Sequence, residues 1–160
     1  MTRPLNVFLP VADADPEATF ARFLDDPGTW LPAPARRAGA DRWRVALRGA
    51  GLTRDVEISI DGTWRSGAAV WRRITWTPVA EEGDVLPLEK LLPGFQGDLG
   101  VVRHGDELSL VLAGGYEAPA SFLGAAADAA GLNRVARKTG TQFLADIRTA
   151  LAEPAPVAST

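Results

Sequence analysis

The chain contains no cysteine and, among its 160 residues, one histidine, one tyrosine, one methionine and two lysines. Without cysteine there is no disulfide, no thiolate nucleophile and no sulfur-ligated metal. The single histidine, His104, lies in the turn-like His104-Gly105-Asp106, so neither a histidine metal cluster nor a hydrolase triad can be assembled, and no Gly-x-Ser-x-Gly occurs. No metal and no cofactor is therefore expected. Long apolar runs are missing too: nothing approaches the ~20 residues of a membrane span, so no stable membrane insertion is expected. The apolar opening from Leu5 to Val11 is interrupted by Asn6 and Pro10, which suits a first strand better than a secretory h-region, and a cytoplasmic protein is expected.

Positive charge is scarce overall, with a net charge of -3, which argues against a dedicated nucleic-acid binder. Nine of the seventeen basic residues nevertheless fall between Arg36 and Arg73, beside only four acidic ones. Alternation of arginines on the outer side of strands explains that excess, although an anion or a partner could also use it. The stretch Gly94-Phe95-Gln96-Gly97-Asp98-Leu99-Gly100 imitates a phosphate-cradling loop but lacks the Lys-Ser/Thr ending and precedes a strand. Asp13 and Asp15, and Asp25 and Asp26, are read as helix-capping and turn residues instead of cation ligands.

What is present is a core-forming pattern. Hydrophobic residues make up 46% of the chain, enough for one domain with a sizeable core, expected over residues 1–152 with a Pro-rich tail at 153–160. Leu5, Val7, Leu9 and Val11 alternate as a strand near a sheet edge, where Pro4 and Pro10 are tolerated. Asp15-Pro16 followed by Phe20, Phe23 and Leu24 predicts a short helix over 16–24. Period two then dominates: Trp43, Val45 and Leu47; Val56, Ile58 and Ile60; Val70, Ile74 and Trp76; Leu99 and Val101; Leu108, Leu110 and Leu112. Asp61-Gly62 is expected to begin a connection, residues 78–93 to form a loop, and Gly114-Gly115 to bend the sheet. Two helical pieces are expected at the end, one Ala-rich through Ala130 and a longer one from Leu132, with Val135, Ala136, Thr139, Phe143, Ile147 and Leu151 on its buried stripe.

This order, together with Leu108-Ser109-Leu110-Val111-Leu112-Ala113-Gly114-Gly115-Tyr116-Glu117-Ala118-Pro119, Leu123-Gly124, Arg134-Val135-Ala136 and Phe143-Leu144, resembles the START-like or SRPBCC superfamily. A bacterial branch of it often reads Leu-x-Leu-x-Gly-x-Tyr-x-Pro-Pro here; Ala118 replaces the first of those prolines. The superfamily includes polyketide cyclases, plant-allergen-like ligand carriers and lipid-transfer domains. The resemblance implies an α+β helix-grip fold: a curved antiparallel sheet of about six strands wrapped around a long C-terminal helix, with one or two short helices after strand 1. It also implies a cavity between sheet and helix that takes a hydrophobic or aromatic, lipid- or polyketide-like small molecule. Alternation places Trp43, Val45, Ile58, Ile74, Trp76, Leu99, Leu110 and Leu112 on its wall, with Phe143 and Ile147 opposite. The same residues equally describe a filled core, and periodicity alone does not separate the two.

Catalysis is left open by the residues. Arg72 shares a face with Val70, Ile74 and Trp76, and a buried guanidinium needs a partner: a ligand carboxylate or carbonyl, an ion pair with Glu57 or Asp98, or solvent at the strand end. Tyr116, in phase with Leu110 and Leu112, either donates to a bound oxygen or caps a backbone group at the strand-to-helix bend. With Glu57 these are the candidate groups for a cofactor-independent cyclase or dehydratase, the alternative to a carrier. A protein-interaction module with a filled core is the third possibility.

Overall fold

The computed structural model describes residues 2–12, 15–49, 52–79, 94–117 and 126–152. The expected loop at 78–93 and the tail at 153–160 fall almost wholly outside them.

Asp15 caps the first helix by accepting the Glu17 N–H at 3.1 Å, and Pro16 occupies the first helical position, where a missing N–H costs nothing; α1 is Pro16–Leu24. A 3-10 turn at Pro27–Thr29 follows. The strands are β1 Thr2–Val11, β2 Arg36–Gly39, β3 Arg42–Gly49, β4 Leu52–Ser66, β5 Ala69–Pro78, β6 Phe95–His104 and β7 Glu107–Glu117. They form one antiparallel sheet in the order β1-β7-β6-β5-β4-β3-β2. The sheet thus has seven strands, not about six. The extra one, β2, is four residues long with Arg36 and Arg37 exposed, and has no apolar period to announce it. Only pairing with β3 makes it a strand. A short, charged edge of this kind also discourages further strand addition.

The C-terminal helix α2 runs unbroken over Ala126–Ala152, so the two expected pieces are one. Gly131 is exposed inside it; glycine there costs roughly 1 kcal/mol relative to alanine, too little to break a helix whose next turns are anchored by buried Leu132 and Ala136. Helix α2 packs on β1, β7 and β3. Since four strands separate β1 from β3, both can reach one helix only if the sheet curls around it. Polar ties fix both flanks. Arg48 of β3 meets Asp146 at 2.6 Å, and Arg148 donates to the Pro10 carbonyl of β1 at 3.2 Å.

A second departure lies in β4. Asp61-Gly62 does not begin a connection: the strand continues to Ser66 and reverses at Gly67, which has a φ of 59°. Asp61 pairs with Arg73 and Trp64 with Trp71, so three steps on β4 match two on β5, one residue too many. This is a β-bulge, with Gly62 supplying the left-handed conformation at φ 67°. The extra residue reverses the alternation. Trp64, which simple parity would send inward, is turned outward opposite Trp71 and is 37% exposed.

Candidate ligand-binding site

Every residue assigned by alternation to the cavity wall faces α2 and is buried: Trp43, Val45, Ile58, Ile74, Trp76, Leu99, Leu110, Leu112, and from the helix Phe143 and Ile147. They belong to one continuous hydrophobic cluster. At one end of it three aromatic rings meet. Trp76 stacks on Phe95 with centroids 4.6 Å apart, and Phe143 presents its edge to Trp76 at 5.4 Å. Offset-stacked and edge-on contacts of this kind contribute about 0.5–1.5 kcal/mol beyond area burial.

Glycines make the Phe95 position possible. Gly97 and Gly114 are cross-strand partners, and a Cβ on either would come within 2.9 Å of the Phe95 ring and would also strike the backbone of the opposite strand. Phe95 therefore lies over a seat without side chains, a contact that also restores the burial such glycines lack. Gly114 and Gly115 do not break β7, which stays in register with β1 and β6 through Glu117. Their part is close approach. Thr2 occupies the space a Gly115 side chain would need.

Behind the Trp76–Phe95 pair, at the ends of the strands, is a half-open hollow of about 500 Å³. Trp76, Phe95 and Pro78 provide apolar lining, and Gly94 and Gly115 also border it. Thr75, Thr77, Gln96, Glu117 and Thr2 line it from the sheet face that points away from α2. Of the wall residues expected from the sequence, Trp76 is the one that borders this hollow; Phe95, the first residue of β6, was not among them.

One polar group stands out in the apolar layer. Thr139 of α2 is 1% exposed and its Oγ1 has no hydrogen-bond partner among the described residues. It precedes Phe143 by one helical turn and so lies beside it on the same helix face. A buried hydroxyl left unpaired costs about 1–3 kcal/mol.

The proposed reactive groups are not brought together. Arg72 does keep inward register, opposite Leu99, but its guanidinium closes the end of α1: Nη1 donates to the carbonyls of Phe23 at 3.1 Å and Asp25 at 3.0 Å, with the Trp30 ring 6.0 Å away. It thus satisfies carbonyls that a helix C-terminus leaves open. Neither Glu57 nor Asp98 is its partner. Burial lowers its pKa, and the charges of Asp26 and Asp41 work against that shift. Glu57 lies on the outer face and accepts from Arg42 at 3.0 Å; Asp98 is 3.9 Å from Arg73. Tyr116 is 1% exposed, and its hydroxyl donates to the Asn133 side chain of α2 at 3.3 Å, tying the end of β7 to the helix. It meets a side chain, not a backbone group. Among the described residues no cluster of three or more His, Asp or Glu is placed to hold a metal ion, and no helix is long and apolar enough to cross a membrane.

Comparison with protein-family models and with curated sequences gives no match. Solved structures do match. The Zhui aromatase/cyclase of Streptomyces sp. R1128 aligns over 94% of both chains with a TM-score of 0.55 at 14% identity. The fold is the helix-grip fold. A STAR-related lipid transfer protein of Xanthomonas axonopodis covers 94% of this chain and 86% of its own at 16% identity, TM-score 0.49. The Aha1 dimer of Colwellia psychrerythraea covers 93% and 96% at 12% identity, TM-score 0.44. In this helix-grip protein the short helix α1 sits after the first strand and the long helix α2 closes the chain, the arrangement the resemblance implies.

Proposed function

We propose that this helix-grip protein binds an apolar or aromatic small molecule, without a cofactor of its own, in the layer between the sheet and α2 where Trp76, Phe95 and Phe143 meet. The hollow at the strand ends is its way in. The observation that carries this reading is that hollow: about 500 Å³, half-open, and bordered by Pro78 and by the nearly buried Trp76 and Phe95, whose rings stack behind it. Small-molecule sites fall at roughly 300–1,000 Å³ and combine apolar walls with few polar groups. Thr139 supplies such a group, an unpaired hydroxyl on the same helix face as Phe143. The shared fold with an aromatase/cyclase supports an aromatic guest. Catalysis by Arg72, Tyr116 and Glu57 gains no such support, because the first caps a helix, the second ties β7 to α2 and the third faces outward.

The test is a thermal-shift and fluorescence titration with a three-ring aromatic ketone and, in parallel, a C16 fatty acid. Ligand at one hundred times its dissociation constant should add about 2.7 kcal/mol of stability. Trp76→Leu should weaken binding of the aromatic at least tenfold with an unchanged circular dichroism spectrum. Absence of any shift with either compound would favour a protein-interaction module with a filled core, and equal affinity of parent and Trp76→Leu would remove the site from this end of the sheet.

A further inference from the structure

The hollow does not stop at the strand ends. A second one of about 350 Å³ lies on the outer face, against Ser59, Arg42 and Glu57, and shares Thr75, Thr77 and Pro78 with the first. The two hollows adjoin at these three residues, where the strand ends meet the outer face. Register explains their depth. Ser59, Thr75 and Gln96 are successive cross-strand neighbours on β4, β5 and β6, about 4.8 Å apart from strand to strand. Thr77 follows Thr75 on the same face of β5, opposite Glu57. On a convex sheet face a trough needs short side chains, and here the row ends at Gly115, opposite Gln96. Arg42 and Glu57, which line the second hollow, are paired with each other at 3.0 Å, while Arg73 lies near Asp98 at 3.9 Å with its guanidinium 6.0 Å from the Trp64 ring.

Ser59, Thr75, Thr77 and Gln96 have no side-chain hydrogen-bond partner among the described residues. The remainder of the outer face differs. Its central row, Trp64, Trp71, Gly100, Val111 and Phe8, is apolar, and the Trp71 ring covers Gly100. Four side chains that can both donate and accept thus line these two adjoining hollows.

We infer that the ligand is amphipathic: its apolar rings lie in the first hollow beside Pro78, Trp76 and Phe95, and an uncharged edge bearing at least two hydroxyl or carbonyl oxygens crosses the rim to Thr75, Thr77, Ser59 and Gln96. This rests on the small-molecule reading above and specifies the chemistry of the ligand. Hydroxyl and amide side chains both donate and accept, so they pair with neutral oxygens of either kind.

The two readings separate with a matched pair, a dihydroxynaphthalene and its dimethyl ether, titrated by calorimetry against the full chain. The diol should bind at least tenfold more tightly than the ether. In Thr75→Val/Thr77→Val, a near-isosteric change with good strand propensity, the ratio should fall to threefold or less while affinity for the ether stays the same. Ser59→Ala, on the neighbouring strand, gives an independent second variant and should lower diol affinity two- to fivefold. If ether and diol bind equally, or the ratio survives in both variants, the polar rim is not a subsite although the apolar site stands. If neither compound binds, the small-molecule reading fails and the inference with it.

Discussion

Replacing Arg72 with alanine separates a structural role from a ligand-anchoring one. The guanidinium donates two hydrogen bonds to the last carbonyls of α1 and faces the Trp30 ring at 6.0 Å, and Trp30 in turn packs on Phe23 at 5.0 Å. A hydrogen bond to a charged group contributes about 1.5–3 kcal/mol, and partial solvent access places these at the low end. The cation–π contact adds about 0.5–1 kcal/mol. Against this stands the cost of burying the charge, the same effect that lowers the Arg72 pKa. The net loss expected for Arg72→Ala is about 2 kcal/mol, or a melting temperature lower by about 4–8 °C in a domain of this size. Arg72→Lys keeps the charge but not the planar fork and should recover less than half of the loss. Urea unfolding followed by circular dichroism reads both, with an unchanged m-value showing that only stability moved. Affinity for the aromatic ligand should stay within about twofold, a change of roughly 0.4 kcal/mol. A variant of parental stability would refute the helix-closing role. Parental stability combined with a large loss of affinity would return Arg72 to the ligand.

Two further substitutions test the aromatic end of the sheet. Gly114→Ala would force a Cβ against the Gln96 carbonyl and the Phe95 ring, and should destabilise by about 2–3 kcal/mol, the upper part of the overpacking range; a thermal melt within 1 °C of the parent would contradict the close approach. Thr139→Val removes a buried, unpaired hydroxyl at constant volume and should raise stability of the ligand-free protein by about 1 kcal/mol while weakening binding of an oxygen-bearing aromatic. Unchanged stability would mean the hydroxyl is already satisfied in solution.

Legibility of the fold followed the strength of the local signal. The helix at Pro16–Leu24 could be placed to the residue because Asp15 and Pro16 act within one turn of it. The inward faces of β3 to β7 were readable because one side of each strand is buried, which enforces alternation. Strand β2 has no buried side chain and left no trace. Gly62 was ambiguous for a different reason: a left-handed glycine after aspartate serves a turn and a bulge equally well, and only the pairing of Asp61 and Trp64 with β5 distinguishes them. The site was less legible than the fold. Ten wall residues could be named, yet of these only Trp76 borders the hollow, beside Phe95, whose seat on Gly97 and Gly114 depends on the pairing of two strands. The unsatisfied Thr139 hydroxyl looked like one more position on a helix stripe.

By itself the sequence determined which chemistry is excluded, where apolar faces lie and that strands precede one long closing helix. These are properties of residue type and short-range periodicity, set by burial and by backbone sterics. Tertiary structure decided everything that depends on which strand meets which. It turned Trp64 outward through one extra residue, seated Phe95 on two glycines seventeen residues apart, sent Arg72 to the end of α1, and aligned Ser59, Thr75 and Gln96 along a hollow rim. Cross-strand partners are distant in the chain, and their register is fixed by the pairing of whole strands, information that no single segment contains.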